Sequence, residues 1–193
     1  MRNVLLAILI ILLIPVYLMV YVSIHEIGHT TLARLLGDPY AVYYLIRVEQ
    51  DSQAIGYTDY DISKLSWAAN LVVSAGGIWG TQIVALAALF LLRLRHVSSR
   101  LLQRILSIVV FTFAFDVPFQ LMQALGYKGL ERWPTGVDLM DVILLLQMRM
   151  DANPLLLKGL LALVALLYLS AVIWLYGRSR RDRKLSKPSV QAA

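Results

Sequence analysis

Four stretches of this chain are long, apolar and almost free of charge, and no other feature constrains its fold as tightly. Crossing the hydrocarbon core of a bilayer as a helix takes ~20 apolar residues. Residues 4–24 reach that length without a charge, then continue amphipathically to Leu36, where Gly37-Asp38-Pro39 stops the helix. Pro15 is expected to kink it. Residues 66–92 form a second uncharged span and 105–126 a third, interrupted only by Asp116. Residues 155–176 form the fourth, with Lys158 near its start, where a lysine can snorkel to the interface. With 59% hydrophobic and 16% charged residues, the chain holds more apolar surface than a soluble domain of 193 residues could bury. The expected fold is therefore an all-α membrane protein, a bundle of about four transmembrane helices. Arg2 and the first apolar run resemble a signal peptide, but no small-x-small cleavage site precedes His25, so this segment reads as an uncleaved first span.

Residues 40–61, between the first two spans, are rich in Tyr, Val and Ile. Val42, Tyr44, Ile46 and Val48 alternate with Arg47 and Glu49, and Gln50-Asp51-Ser52-Gln53 suits a turn, so a small β-hairpin is expected. Residues 135–150 read as a short helix, too short to cross and hence re-entrant or interfacial. Residues 1–177 are expected to form a single membrane-embedded domain, followed by a basic, disordered cytoplasmic tail over 178–193. The absence of cysteine excludes disulfides and Cys-based zinc sites. Net charge is +6, and its placement sets orientation. Arg93, Arg95, Arg100 and Arg104 lie between spans two and three, and Arg178, Arg180, Arg181, Arg183, Lys184 and Lys187 follow span four. Four spans with both clusters in the cytoplasm give an integral, multi-pass protein with both termini cytoplasmic. The hairpin and the short helix then face outward. Trp67, Trp133 and Trp174 stand near span ends, as an interfacial belt requires.

Where the first span meets the hairpin stands His25-Glu26-Ile27-Gly28-His29, an H-E-x-x-H motif. On a helix, histidines four apart lie on one face, so both imidazoles can reach a single zinc ion. Glu26, on a neighbouring azimuth, can take a proton from a water whose pKa the metal lowers. Ionisable groups are costly inside a membrane helix, and their presence there points to function.

A catalytic zinc has three protein ligands and leaves a position for water. His96, the only other histidine, belongs to the arginine cluster at the opposite face and reads as an exposed loop residue. The remaining candidates are Asp116, inside span three and just before Pro118, Asp138, at the mouth of the short helix, and Asp141, in its first turn. N-capping is the competing reading of Asp138, and a charge favoured by the helix dipole that of Asp141.

The motif, followed by Ala33 and Gly37, resembles the H-E-x-G-H…A…G opening of the site-2-protease-type intramembrane metalloproteases, the M50 peptidases. Ser74-Ala75-Gly76-Gly77 resembles the small-residue motif of that family's next span, with Gly77 where proline is common. Phe115-Asp116-Val117-Pro118 is similar to its Asn-x-x-Pro segment, with aspartate in place of asparagine. Gly136-Val137-Asp138 looks like the Gly-Ser-Asp of the M50B-like branch, and Leu139 replaces a glycine or alanine. The resemblance covers residues 25 to about 176. It implies Asp138 as third ligand, ahead of Asp116 and then Asp141. Position points the same way, because Asp138 lies past the end of span three, on the side where span one delivers its histidines. Asp116 is then an alternative ligand, or orients a histidine or the water from behind. In the family the site lies nearer the cytoplasmic side, whereas the charge distribution here places it nearer the outer side.

The expected function is an intramembrane zinc metalloendopeptidase binding one Zn2+. His25, His29 and Asp138 hold the metal, and Glu26 is the general base. Its partners are a membrane-anchored protein substrate and the lipid bilayer, with no nucleic acid. The hairpin could add a strand to an extended substrate or serve as a lid. Gly76 and Gly80 form a G-x-x-x-G that permits close helix packing. Two other classes share the same ligands. One is a catalytically inactive metal-binding membrane scaffold or chaperone. The other is a small metal transporter, for which span two offers only Asn70, Thr81 and Gln82 as polar steps.

Overall fold

A computed structural model describes residues 2–49, 52–94, 99–126 and 138–185. Outside the described residues lie the hairpin turn at Gln50-Asp51, the segment with Arg95 and His96, the stretch 127–137 that includes Trp133 and the expected start of the short helix, and the chain beyond 185.

Helix α1 (Arg2–Leu36) is one helix of 35 residues that continues through Pro15. It ends at Gly37, whose φ of +142° only glycine adopts freely. The Asp38 amide then donates back to the Ala33 carbonyl at 2.9 Å, closing the helix with a glycine cap. A Cβ at Gly37 would stand 3.0 Å from the Lys64 carbonyl, so the glycine also lets the returning chain close onto the helix end. The buried Asp38 carboxylate fastens that junction. It accepts from the Asp61 amide at 2.7 Å, the Tyr40 amide at 3.3 Å and Lys64 Nζ at 3.2 Å. The Asp61 amide first, and then Lys64, hold its carboxyl below the usual carboxylate range.

Strands β1 (Val42–Glu49) and β2 (Ser52–Asp59) pair antiparallel, with Val42 opposite Asp59, Tyr44 opposite Tyr57 and Glu49 opposite Ser52. The expected hairpin is thus present. It leans on α1 through Thr58 and Thr30, whose hydroxyls are 3.3 Å apart, and leaves Val42, Tyr44 and Ile46 exposed.

The second span differs from expectation. It is two helices, α2 (Trp67–Ser74) and α3 (Gly76–Arg93), joined at Ala75. No proline marks the break. Gly76 and Gly77 each cost about 1 kcal/mol of helix propensity relative to alanine, which makes interruption cheap at this point. The third span also begins earlier than expected and divides into α4 (Arg100–Ala114) and α5 (Asp116–Ala124) at Phe115. Here Pro118 is the cause: it has no N–H for the Ala114 carbonyl, and its ring crowds that group. Helix α6 (Asp138–Met150) is short, and α7 (Pro154–Leu185) is long, so residues 178–185, expected within a disordered tail, are helical.

Among the described residues, four helical segments are long and apolar enough to cross a membrane: Ile11–Leu36, Gly76–Arg93, Arg100–Ala124 and Pro154–Arg181. The chain is a helical membrane protein with a small two-stranded sheet. Helix α3 lies at its centre. Ala85, Ala88, Leu89 and Leu92 of α3 pack on Leu106, Val110 and Phe113 of α4 and Val172 of α7. A second cluster, of Leu121, Ala124, Leu139, Ile143 and Ala165, joins α5, α6 and α7. Between α1 and α3 the backbones nearly touch. A Cβ on Gly76 would sit 2.7 Å from His29 Cα, one on Gly80 2.7 Å from the Ile24 carbonyl oxygen, and one on Gly28 inside the Gly76 carbonyl. Helix α3 therefore starts beside His29 and runs back along α1. Its C-terminal end, the start of α1 and the end of α7 share one end of the bundle, where Ser179 Oγ donates to the Leu92 carbonyl at 3.3 Å.

Candidate metal centre

His25 and His29 are buried in the last third of α1, one turn apart, with ring centroids 5.1 Å from each other. The first turn of α6 brings Asp138 against both. Its Oδ2 lies 3.1 Å from His25 Nε2 and 3.2 Å from His29 Nε2. Among the described residues these three form a group whose ligand atoms all fall within 4.8 Å of one another. Asp138 is also buried. Burial pushes its carboxyl up, but His29 and His25 pull it down further, to about 2.

The outer nitrogens of both imidazoles are already committed. His29 Nδ1 lies 2.6 Å from the Val73 carbonyl, which can only accept, so this nitrogen carries the proton and Nε2 presents its lone pair. Val73 lies in the last turn of α2, which ends at Ser74, and its carbonyl is shared between His29 and the Ala75 N–H. His25 Nδ1 lies 3.3 Å from Oδ2 of the buried Asp116. Asp116 also accepts from Tyr21 through Oδ1 and from Thr81 Oγ1 at 2.6 Å. Gln82 Nε2 donates to Thr81 Oγ1 at 3.1 Å and to the Phe113 carbonyl at 2.9 Å, while Tyr168 donates to Gln82 Oε1. Asp116 is thereby held by three protein donors on the far side of His25 from Asp138.

The fit to a metal ion rests on two buried atoms. His25 Nε2 and Asp138 Oδ2 have no hydrogen-bond partner, although they stand 3.1 Å apart, because the two groups are not aligned for one. Two ligands at ~2.0–2.1 Å from a tetrahedral ion are about 3.3 Å apart. The donor set of two neutral imidazoles and a carboxylate, with both tautomers fixed from behind, suits a divalent ion such as zinc. Gly77 makes this packing possible, since a Cβ there would overlap the His25 ring at Nε2.

Glu26, next along α1 and turned about 100° around the axis, is buried and faces the hairpin. Its Oε2 accepts from Thr58 Oγ1 at 2.7 Å.

The structure thus brings His25, His29 and Asp138 together, puts Asp116 behind His25 and leaves Asp141 exposed outside the group. Asp116, from within the third span, reaches His25 Nδ1. His96 lies outside the described residues. Thr81 and Gln82, the polar steps of the second span, are engaged with Asp116, Phe113 and Tyr168, and Asn70 Nδ2 donates to the Ile62 carbonyl at 3.3 Å. Sequence reasoning missed Tyr21, Val73 and Thr58. Tyr21 stands four residues before His25, on the same helix face, and that spacing was a usable signal. The roles of a backbone carbonyl at a helix break and a hydroxyl on a strand carry no local signature. Compared with family models, curated proteins and solved structures, the chain has no match in any of the three.

Proposed function

We propose that this protein is an intramembrane zinc metalloendopeptidase, hydrolysing peptide bonds of membrane-anchored proteins within or beside the bilayer. The observation that carries the reading is the convergence of His25 Nε2, His29 Nε2 and Asp138 Oδ2 at a buried point, with the buried Glu26 next to His25 in the chain. His25, His29 and Asp138 would hold the ion. Zinc bound there would supply a Lewis acid that polarises the scissile carbonyl and acidifies a water. Glu26 takes a proton from the attacking water and returns it to the amide nitrogen as the C–N bond breaks. The products are a carboxylate and an amine. Asp116 and the Val73 carbonyl keep the imidazoles in the ligating tautomer throughout. A locally unwound substrate segment is required, because a hydrogen-bonded helix shields its carbonyls. The hairpin beside Glu26 has strand edges with which an extended segment could pair.

The arginines Arg93, Arg178, Arg180 and Arg181 stand at the end of the bundle away from the metal centre, together with the start of α1. By the preference of lysine and arginine for the cytoplasmic side, both termini are cytoplasmic and the centre opens toward the other face.

The decisive experiment compares wild type with Glu26→Gln in liposomes containing labelled membrane-anchored substrates, with and without a chelator, alongside zinc analysis. Glutamine is nearly isosteric and cannot accept the proton. The variant should retain zinc and lose about 10²–10⁴-fold in rate. Undiminished hydrolysis in Glu26→Gln refutes the mechanism, and a zinc-loaded wild type that cleaves nothing favours a metal-binding scaffold.

A further inference from the structure

The hairpin meets α1 at Glu26. Thr58 of β2 places Oγ1 2.7 Å from Glu26 Oε2 and 3.1 Å from the Glu26 carbonyl oxygen. A hydroxyl has one proton, and the carboxylate at the shorter distance takes it. Thr30, one turn further along α1, lies 3.3 Å from the same hydroxyl, where it can donate and so fix the direction of the Thr58 proton. Two residues before Thr58, Gly56 has φ +80°, and a Cβ there would reach within 3.0 Å of Glu26 Oε1 and overlap Val22 Cγ1. Strand β2 therefore offers the Glu26 carboxylate a donor for one oxygen and packs a bare glycine close to the other, where no side chain would fit.

We infer that Thr58 is a positioning residue for Glu26: its hydroxyl holds Oε2 and so fixes the carboxylate rotamer, and catalysis therefore requires the hairpin docked on α1. The inference rests on the protease reading of the same site. A glutamate has three side-chain torsions, and burial alone does not choose among rotamers of similar shape. A charge-assisted hydrogen bond from a rigid, β-branched threonine does. The Thr58 hydroxyl bonds to Glu26 and Thr30 and not to His25, His29 or Asp138, and the substitution leaves the strand backbone in place, so its loss should alter the chemical step and leave binding unchanged.

Thr58→Val removes the hydroxyl and keeps the shape and β propensity, whereas Thr58→Ser keeps the hydroxyl. Both are assayed as full-length protein in liposomes, with kcat and KM measured separately and zinc determined on each. In Thr58→Val, kcat should fall about 10–100-fold, as expected for a displaced catalytic group, with KM and zinc content unchanged. Thr58→Ser should stay within a few-fold of wild type. In a Glu26→Gln background, Thr58→Val should cost nothing more, because the group it positions no longer works. A wild-type kcat in Thr58→Val overturns the inference, as does an equal loss in the Ser and Val variants, or loss of zinc from Thr58→Val. A wild type that binds zinc and cleaves nothing removes the protease reading and this inference with it, a result distinct from an active wild type indifferent to Thr58.

Discussion

Asp116 and Asp138 are both buried carboxylates within reach of His25, and they face opposite nitrogens of its ring. Their surroundings separate their roles. Asp116 already takes Tyr21 on Oδ1 and Thr81 and His25 on Oδ2, and it faces the ring nitrogen of His25 opposite to the one that Asp138 faces. Asp138 Oδ2 has no hydrogen-bond partner and stands between two Nε2 atoms. Asp138→Ala should therefore strip the metal. Asp116→Asn should keep it with affinity reduced roughly 10–100-fold, the usual cost of losing a partner behind a ligand. Zinc titration of both purified variants checks this, and the reverse ranking would exchange the two roles. The histidines, Glu26 and all three candidate aspartates were legible in the sequence, because few ionisable groups interrupt its apolar spans. The choice among the aspartates was not, since it depends on which carboxylate other side chains have already engaged.

The close approach of α1 and α3 depends on glycine at defined sites rather than on glycine content. Gly28, Gly76 and Gly80 let two backbones meet, and Gly77 receives the His25 ring, while Gly159 of α7 has no heavy atom near its missing Cβ. Gly77→Ala should therefore displace His25 and abolish zinc binding, whereas Gly159→Ala should leave zinc binding and activity intact. Metal content and thermal midpoint of the pair test the point, and a zinc-replete Gly77→Ala would show that α3 can move away at little cost. The breaks at Ala75 and Phe115 matter equally, because the first ends α2 where the Val73 carbonyl meets His29 and the second starts α5 at Asp116. Apolar run length gave both spans as single helices. A hydropathy pattern integrates over ~20 residues and does not register a one-residue interruption that leaves composition unchanged. Pro118 did announce the second break, as its chemistry requires.

The bundle has two unlike ends. Arg178 and Arg180 lie over the Trp174 and Tyr176 rings at 5.5 and 6.0 Å, a basic and aromatic collar at the end of α7. The hairpin, Asp38 and the metal centre occupy the region where α1 terminates. With no native cysteine to interfere, single cysteines report orientation directly. Tyr40→Cys, at a site 80% exposed, should react with an impermeant maleimide added outside intact cells, and Arg178→Cys only after permeabilisation. The opposite pattern would place the metal centre on the cytoplasmic side.

Run length was enough to give a helical membrane protein with about four apolar spans, and strand alternation a small hairpin, because a bilayer demands apolar helices and tolerates few alternatives. The H-E-x-x-H spacing sufficed to put two imidazoles on one helix face, because helical periodicity is local. What closes the site is contributed by residues far apart in the chain. Asp138 comes from α6, Asp116 from α5, the Val73 carbonyl from the end of α2 and the Thr58 hydroxyl from β2. Only packing decides which of these faces a ring nitrogen or a carboxylate oxygen, since that depends on helix breaks, glycine contacts and the docking of a strand, none of which has a period that a sequence displays.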